Sequence, residues 1–555
     1  MTKEQAKEVA AVPWDIFLSR WSTLAEKGKR DAALRLRYRY NRGDFLRHMF
    51  PQRYDLAWSP VHRTFLADET ECWRDRTRQT MTLDIAPRGS AKTSMKSFGD
   101  LVHEIVYGLE VSILVFSTGF QLAEDIVKDL HQVFTGKGDG DRLAELYGPF
   151  TVTGTQTAFS VFCPHGEPLG TEVAAMSFGG TVRGHKYKGR RPSLFVLDDT
   201  VNPKHLKNPT MRDKSAKFLN SDILKAGFGY SRFRMVGTIQ HDDDLVSRCA
   251  KSPGWRTRKW KNLIAWPTNT VRWEECRRLW ADLDDMGRVE TAHRFYLEHK
   301  EEMDAGADVL WPEGRGLFAL MCAYWQYPVA FFAEDQNEPR DPNAAIFDLS
   351  RAKWCRLVSR TTLRNSRGED IDLRRCDIGI WLDHAGGKKD SDYGAIAVVA
   401  RHPAGWYYLL ECELTKRAPS AQHAALWDAW ARWSHLSRVT VGYDATGTQS
   451  LLEEAIERIR EERRRHGLAW DMPSRAVSLV QGKDAIAALE PYIGNGWLEL
   501  TDAIPAEVRE QLALYPGGLN DDGPDAIHKA MTLLGALPTV QRGLDSRDNV
   551  HSDDW

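Results

Sequence analysis

Eight consecutive residues in the first fifth of the chain have the types and spacing that suit phosphate binding. Residues 86–93 read Ala-Pro-Arg-Gly-Ser-Ala-Lys-Thr, and they follow an apolar stretch that starts at Met81. A phosphate-binding loop consists of a strand, a turn whose amides surround the phosphates, a lysine for the β- and γ-phosphates, and a hydroxyl for Mg²⁺. The candidate nucleotide-binding residues are Arg88, Gly89, Ser90, Ala91, Lys92 and Thr93.

The same segment departs from the usual pattern, G-x-x-x-x-G-K-[ST], at both glycines. Ala86 and Ala91 stand at those two positions, whereas Lys92 and Thr93 match. Taken alone, the segment is explained equally well by an ordinary turn between a strand and a helix.

A second signal comes from an apolar stretch that ends in two acids. Residues 194–197 read Leu-Phe-Val-Leu and lead into Asp198 and Asp199. A carboxylate at the end of such a strand can hold the Mg²⁺ of a nucleotide through a water molecule, and Asp198 is the candidate for this role. The simpler alternative is a strand that ends in a solvated Asp-Asp turn.

Further acids follow in the C-terminal third of the chain. One aspartate closes the apolar segment 379–382, another closes 439–443, and residues 521–525 read Asp-Asp-Gly-Pro-Asp. Hydrolysis of a phosphodiester with two metal ions requires converging carboxylates that hold the ions about 4 Å apart. Each aspartate alone is more often a turn residue or a helix cap, but together they predict a site for two Mg²⁺ or Mn²⁺ ions. The candidate ligands are Asp383, Asp444, Asp522 and Asp525, with Asp522 preferred to Asp525 and a role for Asp521 left open.

The order of these signatures resembles the large terminase subunit of tailed bacteriophages, the motor that packages DNA into a procapsid and cuts it. Residues 181–192 are similar to the Arg-Gly…Arg-Pro segment that precedes the acidic strand in that family, and Arg88-Gly89 also matches the family. Residues 383–395 are similar to the first nuclease motif of the family. The resemblance extends from about residue 59 to residue 534.

The resemblance implies roles for several residues of the ATPase site. Asp199 occupies the place of a glutamate that polarises the attacking water. Arg88 and Arg183 are candidates for the arginine finger, one acting within its own subunit and the other across a subunit boundary. The alternative for Arg183 is that it pairs with a carboxylate or contacts DNA.

Two further implications concern coupling and adenine recognition. Gly237-Thr238 stands where the family places the motif that couples the γ-phosphate to domain movement, so Thr238 is a candidate nucleotide contact. Gln52 and His62 are the candidates for contacting adenine.

Cofactors, partners and location also follow from the resemblance. The cofactors are ATP with Mg²⁺ at the first site and two Mg²⁺ or Mn²⁺ ions at the second. The partners are double-stranded DNA, the portal protein of the procapsid and the small terminase subunit. The chain is expected to form a ring on the portal, a pentamer in this family, and to be a monomer in isolation. It is expected in the host cytoplasm and transiently at the portal vertex, but not in the mature virion.

The pattern of apolar segments predicts an α/β fold with two principal domains. Strands and helices alternate from about residue 80, which indicates a mainly parallel sheet covered by helices, as in RecA-like ATPases of the P-loop class. Near residue 376 three strands form a meander and strand–helix units follow, the order of an RNase H-like nuclease. The predicted divisions are an N-terminal helical segment (1–58), the ATPase domain (59–340), a linker (341–372), the nuclease domain (373–540) and a flexible tail (541–555).

Composition excludes several other classes of protein. The 555 residues exceed what one hydrophobic core usually organises. No apolar stretch reaches the roughly 20 residues needed to span a bilayer, and the N-terminus lacks the apolar core of a signal peptide, so a soluble cytoplasmic protein without membrane partners is expected. The 8 cysteines show no Cys-x-x-Cys spacing, which argues against a zinc site and a disulfide framework. The net charge of −2 does not exclude nucleic acid, because basic segments are local.

Two other functions compete with a packaging motor. A helicase-nuclease of DNA repair or defence would normally carry a second RecA-like domain, for which the chain leaves no room. A nucleic-acid scaffold with decayed catalytic sites is disfavoured by the retention of Lys92, Thr93, Asp198, Asp383 and Asp444.

Overall fold

The computed structural model divides the chain into two compact units. The first consists of Met1–Thr268, Asp304–Met321 and Val329–Pro339, and the second of Asn269–Met303, Cys322–Pro328 and Arg340–Trp555. The structure describes residues 12–14, 16–17, 27–72, 78–137, 140–164, 170–202, 206, 208–339, 345–384, 394–415, 419–436, 438–444, 457–458, 460–467, 472, 474–477, 483–518 and 520–536.

These units differ from the domain boundaries expected from the sequence. Residues 1–58 belong to the first unit rather than to a separate segment, and residues 269–303 and 322–328 belong to the second unit rather than to the ATPase domain. The expected tail, 541–555, lies outside the described residues.

The first unit is built on an eight-stranded sheet with the order β3-β4-β5-β2-β6-β7-β1-β8. From β5 to β8 all neighbouring strands are parallel, and β3 and β4 form an antiparallel edge. The strands are β1 (Thr80–Ile85), β2 (Ser112–Ser117), β3 (Thr151–Gly154), β4 (Ala158–Phe162), β5 (Thr171–Ser177), β6 (Leu194–Asp198), β7 (Arg232–Gly237) and β8 (Arg256–Lys259), with a separate antiparallel pair of β9 (Leu263–Ala265) and β10 (Asp308–Val309).

Helices cover the sheets, as the alternating sequence pattern predicts. None of those in the described part of the chain is long and apolar enough to cross a membrane. They are α1 (Lys27–Tyr40), α2 (Arg42–Met49), α3 (Pro60–Cys72), α4 (Asp100–Val106), α5 (Phe120–Phe134), α6 (Asp141–Tyr147), α7 (Pro209–Phe218), α8 (Leu224–Ala226), α9 (Leu245–Lys251), α10 (Thr270–Ala281), α11 (Arg288–Glu298), α12 (Lys300–Asp304), α13 (Leu317–Gln326), α14 (Pro328–Ala330), α15 (Pro419–Trp433), α16 (Lys483–Ala487), α17 (Glu490–Gly494), α18 (Ala506–Leu514) and α19 (Asp522–Leu533).

The central strands of the first unit are apolar and buried along their length. Every residue of β2 and β6 is buried, which is the pattern of parallel strands with helices on both faces. One core cluster joins the sheet to α1, α2, α4 and α5, and a second lies with β6, β7 and α9. Because the strands are parallel, the carboxyl ends of β1, β6 and β7 lie at the same edge of the sheet, where ligands bind in open α/β folds.

The second unit is built on a mixed nine-stranded sheet with the order β13-β12-β11-β19-β16-β15-β14-β17-β18. The predicted antiparallel meander is present in β14 to β16, and β17 joins β14 in parallel. The strands are β11 (Lys353–Ser359), β12 (Thr362–Arg364), β13 (Asp370–Asp372), β14 (Asp377–Asp383), β15 (Gly394–Arg401), β16 (Tyr407–Thr415), β17 (Val439–Asp444), β18 (Ser474–Val477) and β19 (Leu498–Thr501).

The α/β prediction is confirmed, but residues 353–372 are not a linker. They form β11 to β13, which extend the sheet of the second unit. The charged residues and three-residue lengths of β12 and β13 concealed this edge of the sheet, since edge strands need few apolar side chains.

A buried charge cluster lies beneath the phosphate-loop segment and ties the helix that follows it to the sheet. Glu104 on α4 lies 2.6 Å from Arg232 Nη2 and 2.5 Å from Arg234 Nη2, both on β7. Lys96 Nζ lies 3.1 Å from Asp100 Oδ2, and all of these side chains are buried. The members of this cluster are Arg42, Asp84, Lys96, Asp100, Glu104, Glu110, Arg232, Arg234 and Arg258.

Side chains in and beside the cluster also donate hydrogen bonds to the backbone of the first helical turns. Residues Ser94–Gly99 form a π-helical turn between Thr93 and α4. Arg234 Nη1 donates to the Lys96 carbonyl at 2.9 Å, and Tyr54 Oη donates to the Ser94 carbonyl at 2.6 Å. A Cβ at Gly99 would lie 2.7 Å from Tyr54 Oη, so only glycine leaves room for that hydroxyl.

We predict that Glu104→Ala lowers the free energy of unfolding by roughly 3–5 kcal/mol, because it leaves two buried guanidinium groups without their shared carboxylate. Urea unfolding followed by tryptophan fluorescence measures this change. The control is Glu124→Ala, which removes a partly exposed ion pair with Lys128 on α5 and should cost about 0.5 kcal/mol. A loss no larger than that of the control would show that the cluster does not hold β7 to α4.

Candidate nucleotide and metal sites

The phosphate-loop segment has the backbone conformation that its sequence only suggested. Gly89 has φ +79° and Ala91 has φ +54°, so both lie in the left-handed region. Alanine is rarely found there, because its Cβ approaches the following carbonyl at a cost of roughly 1–2 kcal/mol. The position at which the usual pattern has its second glycine therefore keeps the conformation of a glycine although an alanine occupies it.

Hydrogen bonds within the segment and from distant residues hold the turn in place. Ser90 Oγ donates to the Pro87 carbonyl at 2.7 Å, and the Arg88 amide donates to the Glu334 carbonyl at 2.9 Å. His62 Nε2 donates to the Ser90 carbonyl at 2.9 Å, and its Nδ1 accepts from the Ser59 amide at 3.2 Å. Burial lowers the pKa of His62, so the imidazole is neutral. His62 thus supports the phosphate loop, and Gln52 lies exposed in a turn.

Lys92 and Thr93 begin the helix that follows the turn. Lys92 is only 7% exposed, and no hydrogen bond or ion pair joins it to any residue that the structure describes. Thr93 Oγ1 donates to Asp198 Oδ1 at 3.1 Å, so the predicted hydroxyl and the predicted carboxylate meet. The charge of Lys92 acts on the Asp198 carboxyl and opposes the rise in its pKa, but the ammonium has no hydrogen-bonded partner among the described residues. A buried ammonium in that state is costly, and an anion such as a phosphate would supply the missing contact.

Asp198 is a buried carboxylate whose second oxygen accepts no hydrogen bond within the described part of the chain. Burial raises the pKa of Asp198 to about 6; the nearby Ser97 hydroxyl opposes this shift, and Asp199 adds to it. An orphaned carboxylate oxygen beside a threonine hydroxyl suits a hard divalent cation such as Mg²⁺. Thr93 and Asp198 are therefore chemically fitted to hold that ion.

Asp199 follows β6 in a left-handed conformation, with φ +49°. Its amide donates to the Val236 carbonyl at 3.0 Å, and Thr118 Oγ1 donates to its carbonyl. Its half-buried carboxylate projects near Gly237, from which a Cβ would lie 4.0 Å from Asp199 Oδ1. Thr238, the next residue after β7, is buried. The carboxyl ends of β6 and β7 thus bring Asp199 and Thr238 to one edge of the sheet.

The two candidate arginines are engaged in exposed ion pairs. An Arg88 guanidinium nitrogen lies 3.1 Å from Glu334, and Arg183 Nε lies 2.7 Å from Asp222 Oδ1. Arg183 also donates to the Ser221 carbonyl at 2.9 Å, yet 65% of its side chain is exposed. Exposed ion pairs contribute about 0–1 kcal/mol, so either arginine can exchange its partner for a phosphate at little cost.

The second group of acids lies at the carboxyl ends of β14 and β17. These strands are parallel, and Leu382 is paired with Tyr443. Asp383 and Asp444, which end the two strands, are therefore adjacent in the sheet. The side chain of Asp444 lies outside the part of the chain that the structure describes.

α19 brings a third acid to Asp383. Lys529 Nζ lies 2.8 Å from Asp525 Oδ2 and 3.3 Å from Asp383 Oδ1, so one ammonium group bridges the two carboxylates. Burial raises the pKa of Asp525 to about 6; Lys529 opposes this shift and Asp383 adds to it. Asp522, preferred from the sequence, is buried at the first residue of α19, and Asp521 precedes it.

The carboxylates fit divalent cations better than softer metals. Asp525 Oδ1 is buried and accepts no hydrogen bond from the described residues, so it is a free oxygen donor. Oxygen-only donors favour Mg²⁺ and Mn²⁺. Within the described side chains no group of three or more histidine, cysteine, aspartate or glutamate residues is arranged to hold a metal. The complete ligand set would need Asp444 as well.

Sequence reasoning missed three supporting residues. Lys529 stands four positions after Asp525, which is the spacing of neighbours on one helix face and could have been noticed. Glu334 and the supporting contact of His62 could not have been predicted from the sequence, because both depend on contacts between segments that are distant in sequence.

We predict that Asp198→Asn stabilises the nucleotide-free protein by roughly 3 kcal/mol at pH 8, because each unit of raised pKa corresponds to 1.36 kcal/mol of disfavoured ionisation. Asp198 ionises near pH 6 when folded and near 3.8 when unfolded, so the ionised carboxylate destabilises the fold above pH 6. The gain should shrink as the pH falls from 6 towards 3.8.

Urea unfolding across this pH range measures the effect. Mg·ADP provides an internal control, because it should stabilise the wild-type protein and not the variant. A variant that is less stable than wild type at pH 8 would contradict the burial of an uncompensated carboxylate.

Comparisons with known proteins find similarity only among solved structures, since no protein-family model and no curated protein matches the chain. The large terminase of bacteriophage HK97 is 12% identical, with a TM-score of 0.31, over 86% of this chain and 95% of that chain. The large terminase of a thermophilic bacteriophage, in complex with ADP, is 10% identical, with a TM-score of 0.39, over 86% and 100%. The Mn-soaked terminase nuclease domain of human cytomegalovirus is 12% identical, with a TM-score of 0.22, over 29% and 85%. Each of these three solved structures is a terminase or a terminase domain.

Proposed function

We propose that the chain is a terminase large subunit that uses ATP to move viral double-stranded DNA into a procapsid and cuts concatemeric DNA with divalent metal ions. One observation carries this proposal: a single chain holds a buried lysine without a hydrogen-bonded partner among the described residues at a phosphate loop and, in its other unit, two half-buried acids, one at the end of β14 and one on α19, that share a lysine. The first arrangement suits phosphoryl transfer and the second suits phosphodiester hydrolysis.

In the ATPase site the chain supplies position and charge. The left-handed turn at Gly89 and Ala91 presents amides to the phosphates, and Lys92 contributes the cation. Thr93 and Asp198 would hold a Mg²⁺ ion, which would supply positive charge to the phosphate oxygens. Asp199, fixed through its backbone by Thr118, is placed to orient the attacking water.

We assign both Arg88 and Arg183 to stabilisation of the transition state, one within its own subunit and one in a neighbouring subunit. Arg88 leaves Glu334 to act within its own site, since it belongs to the phosphate loop itself. Arg183 is largely exposed and held by a surface carboxylate, so we assign it to the site of a neighbouring subunit in the ring. Burial of Thr238 at the end of β7 suits its proposed part in coupling hydrolysis to movement.

In the nuclease site, Asp383, Asp444 and Asp525 would hold the metal ions that activate water and stabilise the leaving oxygen. Asp525 is the better assignment for the acid from α19, because it shares a cation with Asp383. This choice reverses the preference for Asp522 that was drawn from the sequence.

The partners and location follow from the same proposal. They are double-stranded DNA, the portal protein and the small terminase subunit, with the motor assembled as a ring in the host cytoplasm. A helicase-nuclease is less well supported, because the only mainly parallel sheet in the described part of the chain is that of the first unit, and the second sheet is mixed.

We predict that the two activities separate in the full-length protein. Lys92→Ala should lower ATP hydrolysis by about 10²- to 10³-fold, the usual effect of removing a charge-stabilising group, and should leave metal-dependent cleavage intact. Asp383→Ala and Asp444→Ala should abolish cleavage and leave hydrolysis near wild type.

Phosphate release and plasmid cutting with Mn²⁺ measure the two activities. Lys128→Ala and Asp377→Ala are matched controls, the latter at the opposite end of β14 from Asp383. Loss of both activities in either set of variants would argue against two independent sites.

We predict that Arg183→Ala spares nucleotide binding but removes most of the stimulation of ATPase activity by procapsids. Arginine fingers supplied by a neighbour contribute about 10³–10⁵ in rate in other nucleotide hydrolases. In mixed rings, Arg183→Ala subunits should recover activity beside Lys92→Ala subunits, because each supplies what the other lacks. Absence of recovery, together with an inactive Arg88→Ala protein, would place the essential arginine within the subunit.

A further inference from the structure

Lys529, which bridges Asp383 and Asp525, was not expected in the two-metal site that the sequence predicts. Its Nζ lies within hydrogen-bond distance of Asp525 Oδ2, at 2.8 Å, and 3.3 Å from Asp383 Oδ1. Divalent cations contact carboxylate oxygens at about 2.0–2.6 Å. A metal ion shared by these two oxygens would therefore lie at or beside the position of the ammonium nitrogen.

The ammonium group is built into the site rather than resting on it. Lys529 is only 3% exposed, on the second turn of α19, one turn after Asp525. Its Nζ also lies 5.7 Å from the centroid of the Trp381 ring, on the strand that ends in Asp383. Movement of Lys529 out of the site would require desolvated contacts on both elements to break.

The ammonium group of Lys529 already supplies part of the positive charge that the carboxylates of the site require. Asp383, Asp444 and Asp525 carry three negative charges when ionised, and Asp521 lies near enough to act on Asp525 as a fourth. Two divalent ions beside Lys529 would leave a surplus of positive charge in a partly buried site, where like charges repel more strongly than in water.

We propose that Lys529 is a resident cation that takes the place of one of the two metal ions, so that the nuclease site binds a single Mg²⁺ or Mn²⁺. This inference rests on the proposed nuclease function. The ammonium group would stabilise negative charge on the scissile phosphate from a fixed position, as preorganised donors do in other hydrolases.

Binding of Mn²⁺ to the full-length, nucleotide-free protein tests this inference. Free Mn²⁺ is followed by electron paramagnetic resonance during titration, and the double variant Asp383→Asn/Asp525→Asn is subtracted as a blank for all other sites. We expect one Mn²⁺ for wild type and for Lys529→Arg. We expect two Mn²⁺ for Lys529→Gln, with the first bound at least about tenfold more tightly because a competing charge is absent.

Thermal unfolding provides a second readout that does not depend on cleavage. In EDTA, Lys529→Gln should have a lower melting temperature than wild type, because its carboxylates repel each other. Mn²⁺ should abolish this difference in melting temperature. Lys300→Gln, which removes an exposed partner of Tyr296 in the same unit, is the control that Mn²⁺ should not affect.

The outcomes separate the inference from the function on which it rests. Two Mn²⁺ ions in wild type, or the same number and affinity in Lys529→Gln, would overturn the role of Lys529 and leave a metal-dependent nuclease. If wild type binds no more Mn²⁺ than the blank, the carboxylates hold no metal, and the proposed nuclease function fails together with the inference. The wild-type count decides even if Lys529→Gln does not fold.

Discussion

The architecture of the first unit depends on the ion pairs that Glu104 forms with both Arg232 and Arg234. It joins α4, which continues from the phosphate loop, to β7, which lies between the loop strand β1 and the acidic strand β6. Buried ion pairs add little net stability compared with apolar packing, but removing one partner is costly. Their value here is positional, because the helix and the strand cannot shift against each other without separating buried charges.

Residues much later in the chain form hydrogen bonds with the edge of the sheet that carries the phosphate loop. Glu334 accepts from the Arg88 amide, and Asn337 Oδ1 accepts from the Ile239 amide, next to Thr238. The segment that includes these two residues therefore contacts both the phosphate loop and the end of β7. Glu334 and His62 thus hold the loop at Arg88 and Ser90, directly before Ala91, which has a left-handed conformation.

Sequence alone predicted the parts of this protein that depend on local pattern. The strands around Lys92, Asp198, Asp383 and Asp444 were found within about two residues, because each is a short apolar run bounded by turn or acidic residues. From the sequence we preferred Asp522 to Asp525, since both stand in the first turn of α19 and the contact of Lys529 with Asp383, which favours Asp525, joins segments far apart in sequence. Edges and long-range supports were beyond sequence reasoning for a different reason. Strands β12 and β13 have three residues each and include charged side chains, so they lack the apolar signal that marks a central strand. The buried charge cluster draws on five segments between Arg42 and Arg258, and no spacing rule links side chains so far apart.

The course of the chain between its two compact units limits how the protein can be dissected. The chain passes from one unit to the other five times, after residues 268, 303, 321, 328 and 339. Within the second unit, Trp280 on α10 packs against Trp497 at 5.4 Å between ring centroids, and Trp497 Nε1 donates to the Ala281 carbonyl at 2.8 Å. A fragment that starts at residue 341 would lose this indole pair and expose apolar surface. No single proteolytic cut can release either unit intact, so the two units must be studied as one polypeptide.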